Sequence, residues 1–219
     1  MIVTFFGHAA VGLVAERAPR PDFRVLIDPY EPMGFDGRMT YPAIAGRFTP
    51  DVVLVTHNHP DHAHTNPWPD APVGTPQHAI DALPVEWTVC DHDGFGGQLR
   101  GGTTGVARFE LDGLHIVHTG DLGELPDPET LARWRPCELL FVAAGGYYTL
   151  GASEVAELSR RLQPAATIPI HTRTPYCALP HMSGTEGLLA RLPTVERREG
   201  TWRYSRPHRA GLVLMEPAV

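Results

Sequence analysis

His57-Asn58-His59-Pro60-Asp61-His62 carries four metal-ligand side chains in six residues, a density that no other stretch of the chain matches. Directly upstream, Val52-Val53-Leu54-Val55 is a β-branched apolar run that predicts a buried strand, so the histidines fall where a strand stops and a loop begins. In an extended segment residues two apart point the same way, which aims His57 and His59 at one common point. Pro60 cannot donate a backbone hydrogen bond and keeps the preceding residues out of a helix, although a helix can start just after it. Asp61 and His62, adjacent in sequence, can then face a second point close by. Borderline and hard divalent cations accept this mixture of imidazole and carboxylate, and two ligand pairs on one turn suggest two ions rather than one. Any one of these histidines alone reads as a polar surface residue. Their number and their place at a strand end point to a site.

The rest of the composition narrows what this loop can belong to. A chain of 219 residues with 42% hydrophobic content suits one globular domain, residues 1–219, with a sizeable core. The start, Met1-Ile2-Val3-Thr4-Phe5-Phe6-Gly7, has no basic flank before a long apolar run, and no window is long and apolar enough for a membrane span, so a cytoplasmic location is expected. Cys90, Cys137 and Cys177 are an odd number without paired spacing, which argues against a disulfide scaffold and a structural zinc ribbon. A net charge of -7 disfavours nucleic acid as a partner. Arg191, Arg197, Arg198, Arg203, Arg206 and Arg209 crowd the C-terminal part and read as a solvated face. All 18 basic residues are arginine, which excludes a lysine Schiff base and a phosphate-loop lysine. None of the serines sits in a Gly-x-Ser-x-Gly elbow, which excludes that hydrolase chemistry. A small-molecule substrate is the expected partner, and nothing in the composition excludes a homo-oligomer.

Along the chain, Ile2–Phe6, Val11–Glu16 and Phe23–Ile27 read as three strands separated by Gly or Pro turns, an antiparallel start. Residues 31–50, rich in Gly, Pro and Met and without a period, predict a long loop able to fold over the mouth of the site. His8 reads as structural, His64 and His78 as incidental, and Gln77–Leu83 as a short helix. A strand over Val85–Cys90 leads to His92, an imidazole just past a strand end. Val106–Leu111 and Leu114–His118 form a hairpin over Asp112-Gly113. Asp127 caps a helix that includes Leu131 and Trp134. Leu139–Ala143 is a buried strand that runs into Gly145-Gly146-Tyr147-Tyr148, where the glycines admit close backbone approach and the tyrosines are candidate substrate contacts. Ser153 caps a helix with Val155, Leu158 and Leu162 on one face, and the strand Thr167–Ile170 delivers His171. Gly184–Leu192 reads as a helix and Gly211–Met215 as a closing strand. By periodicity alone the class is mixed α/β.

The spacing His-x-His-x-Asp-His, together with "FFGHA", "LIDPY" and "HTGDLG", resembles the metallo-β-lactamase superfamily, and within it compact bacterial hydrolases akin to ascorbate-phosphate lactonase and N-acyl-phosphatidylethanolamine phospholipase D. The resemblance spans nearly the whole chain. It implies a four-layer αββα sandwich of two mixed β-sheets with outer helices. It also implies a ligand set of His57, His59, His92, Asp61, His62, Asp121 and His171, in which Asp121 bridges two metals, and it gives Asp28 the part of a buttress behind the metal loop. His118, three residues before Asp121, is expected not to be a ligand. Arg100-Gly101-Gly102-Thr103 corresponds to an arginine-glycine-x-asparagine element of the nearest hydrolases without its asparagine, which makes Arg100 a substrate-binding candidate beside Tyr147 and Tyr148.

The function implied is that of a dinuclear metal-dependent hydrolase. Two divalent ions, zinc first with manganese or iron as substitutes, would present a metal-bound hydroxide to an ester, lactone or phosphodiester bond, with Asp61 and Asp121 as the catalytic carboxylates. Two alternatives belong to other classes. An iron-dependent oxidoreductase of dioxygenase type can occupy the same fold, whereas the di-iron flavoproteins resemble His-x-Glu-x-Asp at this loop and His59 stands where their Glu would be. A non-catalytic metal-binding protein is disfavoured by the complete ligand set.

Overall fold

The computed structural model describes residues 1–92, 98, 102–192, 195–208 and 211–219. Its strands form two sheets. From edge to edge, the first sheet runs β12 (Thr201–Arg203), β1 (Ile2–Gly7), β2 (Ala10–Ala15), β3 (Phe23–Ile27), β4 (Val52–Leu54) and β5 (Val73–Gly74). The second runs β11 (Val195–Glu199), β13 (Gly211–Glu216), β10 (Ala166–Ile170), β9 (Leu139–Ala143), β8 (Leu114–His118), β7 (Thr103–Leu111) and β6 (Val85–Asp91). Both sheets are mixed. The hairpin-linked pairs β1/β2, β2/β3, β6/β7 and β7/β8 are antiparallel, whereas β3/β4/β5 and β8/β9/β10/β13/β11 are parallel.

Period-two alternation sorts the strand side chains into layers. In β9, Leu139, Phe141 and Ala143 face the first sheet, while Leu140 and Val142 face outward. In β3 and β4, Val25, Ile27, Val52 and Leu54 enter the space between the sheets, and Leu26 and Val53 point away from it. Every one of these residues is fully buried, as strands covered on both faces require. The space between the sheets is therefore one apolar core, with two further clusters outside it.

The two outer layers differ in kind. Over the second sheet lie α2 (Pro128–Arg133) and α3 (Ala152–Leu162), which bury Leu131, Val155, Leu158 and Leu162. Asp127 caps α2 as expected, accepting from the backbone N–H groups of Glu129 and Thr130 at 2.8 and 3.0 Å. Trp134 closes the layer with its ring buried and its Nε1–H donated to Thr88 Oγ1 at 3.0 Å. Over the first sheet the cover is largely irregular: Tyr30, Met39, Tyr41, Ile44 and Phe48 from residues 28–50 pack on Phe6, Leu26 and Val53. This segment contains one turn, α1 (Gly34–Gly37), in which Phe35 and Asp36 are left-handed at φ 52° and 55°.

Some local expectations are corrected. Gln77–Leu83 is not helical; Thr75 and His78 pair across a tight turn, with Thr75 Oγ1 accepting the Gln77 N–H, and Pro76 and Pro84 bound the segment. α3 starts at Ala152, one residue before Ser153, and the Gly151 N–H is taken up by Glu154 Oε2 at 2.7 Å. The helix expected over Gly184–Leu192 shrinks to one turn, α4 (Glu186–Leu189), because its glycines have low helix propensity and within it only Leu188 is buried. The arginine-rich end is solvent-exposed, as expected, at Arg191, Arg197, Arg203 and Arg206. It supplies the edge strands β11 and β12, with Arg203 paired to Glu16, Arg206 to Glu138 and Arg198 to Glu196. Arg209 lies outside the described residues.

Candidate metal centre

The C-terminal ends of β1, β3 and β4 lie on one edge of the first sheet, and those of β6, β8, β9 and β10 on the matching edge of the second. Six of these strand ends deliver the candidate ligands and their buttress. His8 follows β1, Asp28 ends β3, and His57 to His62 follow β4. From the other sheet come His92 after β6, Asp121 after β8 and His171 after β10. His8, Asp28 and His171 are all left-handed, at φ 53°, 47° and 50°. Such backbone costs roughly 1–2 kcal/mol per non-glycine residue and persists only where the surroundings over-determine it. One such constraint is the His171 N–H donated to His8 O at 2.6 Å, which ties the two sheets together at the site.

Hydrogen bonds decide which ring nitrogens face inward. Asp28 is fully buried and accepts from the Thr56 N–H at 2.8 Å, the Thr56 hydroxyl at 2.7 Å and His62 Nδ1–H at 2.8 Å. Because the Thr56 hydroxyl gives its hydrogen to Asp28, its oxygen is left to accept His57 Nδ1–H at 3.0 Å. The Nε2 atoms of both His57 and His62 are thus turned toward Asp121, at 3.8 and 3.2 Å, the orientation a metal needs, and His57 Nε2 also lies 3.0 Å from His59 Nδ1. His118 is in a different position. Its Nε2 donates to Ala9 O at 3.0 Å and its Nδ1 accepts the Gly120 N–H at 3.2 Å, so both nitrogens are already used.

Three groups of side chains bring ligand atoms close enough to share an ion: His57, His59 and His92; His57, His62 and Asp121; and His8, Asp61, His62 and His171. Asp121 lies between them, with carboxylate oxygens 3.1 Å from His92 Nε2, 3.2 Å from His62 Nε2, 3.3 Å from His171 Nε2 and 3.8 Å from His57 Nε2. The structure thus brings together all seven residues expected as ligands. It also adds His8, read from sequence as structural, whose Nε2 is 2.8 Å from Asp61 Oδ2. The available signal was Gly7-His8 at a strand end, the same arrangement that marked His92. His64, His78 and His118 belong to none of the three groups.

Some of the donor atoms satisfy one another, His8 Nε2 with Asp61 Oδ2 at 2.8 Å and His57 Nε2 with His59 Nδ1 at 3.0 Å, and others do not. Asp61 Oδ1, Asp121 Oδ1, His62 Nε2 and His92 Nε2 are buried and have no hydrogen-bond partner. Buried polar atoms are rarely left so, and a cation among them would satisfy all four. The protonation equilibria carry the same signature. Burial opposes charge on Asp61 and Asp121, yet the surrounding imidazoles hold both carboxyls well below the usual carboxylate range. His62 is desolvated too, but Asp121, Asp61 and Asp28 push it well above an ordinary histidine. Burial moves His57 down to about 3 and His8 to about 4, whereas His171, equally buried, is raised to about 9 by Asp121 and Asp61.

Close approach demands glycine beside the site. A Cβ on Gly120, at φ 51°, would lie 2.3 Å from Thr104 Oγ1 and 2.7 Å from Thr56 Oγ1. The absence of a side chain here lets the Asp121 N–H reach Thr104 Oγ1 at 3.1 Å and sets the carboxylate over the histidines.

Above the cluster opens a cavity of about 270 Å³, floored by His59, Asp61, His92, Asp121 and His171 and walled by Phe35, Arg38, Tyr148, Leu179 and Pro180. The 31–50 loop thus reaches the mouth of the site, as expected. Tyr148 is on the wall, and Tyr147 sits behind it, with ring centroids 4.8 Å apart, and packs on His181. Arg100 lies outside the described residues. Among the described residues no helix is long and apolar enough to cross a membrane.

Residues 2–171 match the family model described as the beta-lactamase superfamily domain. The chain belongs to this superfamily. Relatives within reach of sequence include UPF0173 metal-dependent hydrolases from Thermococcus onnurineus, 26% identical over 78% of this chain and 84% of the relative, and from Methanoregula boonei, 28% identical over 80% and 83%. A metallo-beta-lactamase superfamily structure from Thermotoga maritima superposes with a TM-score of 0.68 at 24% identity, covering 98% of both chains. The metallo hydrolase Igni18 from Ignicoccus hospitalis gives 0.58 at 20% identity over 82% of this chain and 86% of the other. The superfamily fold, two mixed sheets with the site at their shared rim, is therefore the fold of this chain.

Proposed function

We propose that the chain is a dinuclear metal-dependent hydrolase that cleaves an ester, lactone or phosphodiester bond in a small substrate. In this reading His57, His59 and His92 hold one divalent cation, Asp61, His62 and His171 hold a second, and Asp121 bridges them. Imidazole and carboxylate donors suit zinc, with manganese or iron as substitutes. The observation that carries the reading is the set of buried, unpartnered donor atoms on Asp61, His62, His92 and Asp121, each in a group of side chains close enough to share an ion. The relatives named as metal-dependent hydrolases support the reaction class.

When bound, such cations acidify water toward neutrality and polarise a carbonyl or phosphoryl oxygen. The chain's own groups do the rest. His8 occupies Asp61 Oδ2 and leaves Oδ1 free, so Asp61 can take up a proton as the attack proceeds. Asp121, whose charge is stabilised by the neighbouring imidazoles, stays ionised between the rings of the two sheets. Asp28 holds the His62 ring directly and the His57 ring through Thr56, so neither turns as charge develops. Phe35, Leu179 and Pro180 limit water at the cavity wall. Of the expected substrate contacts, Tyr148 lines the cavity and keeps that assignment.

The test is metal removal and return. Dialysis against a chelator should abolish hydrolysis of 4-nitrophenyl esters and of bis(4-nitrophenyl) phosphate, and two equivalents of zinc or manganese per chain should restore it. Undiminished turnover by protein that elemental analysis finds metal-free would refute the reading.

A further inference from the structure

The cavity over the cluster contains one arginine among the described residues that line it, and that residue has no part in holding the cluster. Arg38 comes from the irregular layer over the first sheet. Its backbone is pinned on both sides: the Arg38 N–H donates to Phe35 O at 3.1 Å, and Arg38 O accepts the Ala178 N–H at 2.9 Å, next to the bridge between Met39 and Cys177. Arg38 is exposed and lies in no ion pair among the described residues. Other arginines of the chain are engaged, Arg108 with Glu86, Arg161 with Glu157, Arg198 with Glu196 and Arg206 with Glu138.

The turn that precedes it is strained and buries none of its own residues. Met33, Phe35 and Asp36 are all left-handed, at φ 60°, 52° and 55°, and Phe35 is 41% exposed while it lines the cavity. Three consecutive-region outliers that leave an aromatic ring in solvent beside an unpaired cation are costly for stability alone. They are what a surface shaped for a ligand would show, with an apolar face on Phe35 and a charge on Arg38.

We propose that the substrate carries a second, non-reacting anionic group and that Arg38 recognises it. This rests on the hydrolase reading and adds to it the substrate class: a small ester, lactone or phosphodiester with a carboxylate or phosphate set apart from the scissile bond by a short apolar stretch that lies against Phe35. An arginine fork suits such a group, because it donates two parallel hydrogen bonds to a carboxylate or phosphate. The floor of the cavity bears the reacting end, and the wall selects by charge.

Binding to the zinc-loaded protein tests this without turnover. The probes are two series of equal chain length, alkylphosphonates and the ω-carboxyalkylphosphonates that add only a distal carboxylate, with affinities read by calorimetry. The wild-type protein should bind the carboxylated member at least about tenfold more tightly at one chain length, the gain expected of one charge-assisted contact. Arg38→Gln should erase that preference while its zinc content, thermal midpoint and affinity for plain alkylphosphonates stay unchanged, and Arg38→Lys should restore part of it. The proposal fails if wild type shows no preference at any length, if Arg38→Gln keeps it, or if Arg38→Gln weakens both series alike. A protein that binds zinc and shows the preference but hydrolyses nothing would sink the hydrolase reading alone.

Discussion

At the rim of the first sheet the donor atoms stand on a hydrogen-bonded scaffold, whereas at the rim of the second they do not. Asp28 holds Thr56 and His62, Thr56 holds His57, and His8 holds Asp61, all within 2.7–3.0 Å. His92 and His171, from the other sheet, have buried Nδ1 atoms without a hydrogen-bond partner. Their rings are placed by backbone instead, His92 by the N–H it donates to Gly102 O at 3.0 Å and His171 by its bond to His8 O. Asp121 is the exception on that side, since its N–H is tied to Thr104 Oγ1 and its carboxylate meets rings from both sheets. The difference teaches that the fold holds the rings of one half of the site through side-chain hydrogen bonds and places those of the other half through the backbone alone.

The most severe way to break that arrangement is to remove the group shared by both halves. Asp121→Asn keeps the size but deletes a charge and a donor oxygen, and it should fold, bind fewer than two metals per chain and lose at least about a hundredfold in kcat. His118→Gln is the matched control, because both nitrogens of His118 are used within the fold. Elemental analysis and turnover in excess zinc check both; two bound ions and normal turnover in Asp121→Asn would show that Asp121 does not join the halves.

Next in size is the scaffold of the first half. Asp28→Asn leaves one oxygen for the three donors that Asp28 now accepts, and it should lower metal affinity about 10- to 100-fold, the usual range for an outer partner of a ligating histidine. Competition with a colorimetric zinc chelator reads this directly. An unchanged affinity would mean that the first half is no better supported than the second.

The smallest effect sharpens the contrast in metal-free protein. His57 is moved down from 6.5 to about 3 by burial, so its unfolded form binds the extra proton and its contribution to stability is lost as pH falls below about 6.5. His171 is raised from 6.5 to about 9, so its contribution is present below 6.5 and is lost as pH rises through about 9. In denaturant melts of metal-free protein, His57→Gln should therefore flatten the acid side of the stability curve, and His171→Gln the alkaline side. The same change of slope in both variants would remove the electrostatic distinction between the two rims.

How much of this was legible in the chain differs between the same two halves. The first half announces itself because four donor side chains are contiguous after an apolar strand, and local periodicity places them together without any knowledge of the fold. In the second half each donor is alone at the end of its own strand. His92 and His171 became candidates through strand-end position and family resemblance, since a lone imidazole has no local signature. His8 shows the cost of that: it occupies the same kind of position, yet it read as structural because nothing beside it in sequence shares its task. The helices were legible where an amphipathic face and a cap coincide, as in α2 and α3, and illegible where glycine dilutes the pattern, as over Gly184–Leu192.

By itself the sequence determined the alternation that builds two buried sheets, the donor-rich loop from His57 to His62, and the absence of lysine and of a serine elbow that removes other chemistries. These are local properties, set by side-chain type at a spacing of two residues or by composition. Only the tertiary structure decided that His8, Asp28, His92, Asp121 and His171 meet that loop, that Thr56 relays Asp28 to His57, and that Arg38 and Phe35 come over the site from an irregular layer. The reason is physical: those contacts join residues as much as 163 positions apart, from His8 to His171, and they exist only because parallel and antiparallel pairing bring the ends of six donor-bearing strands to one rim.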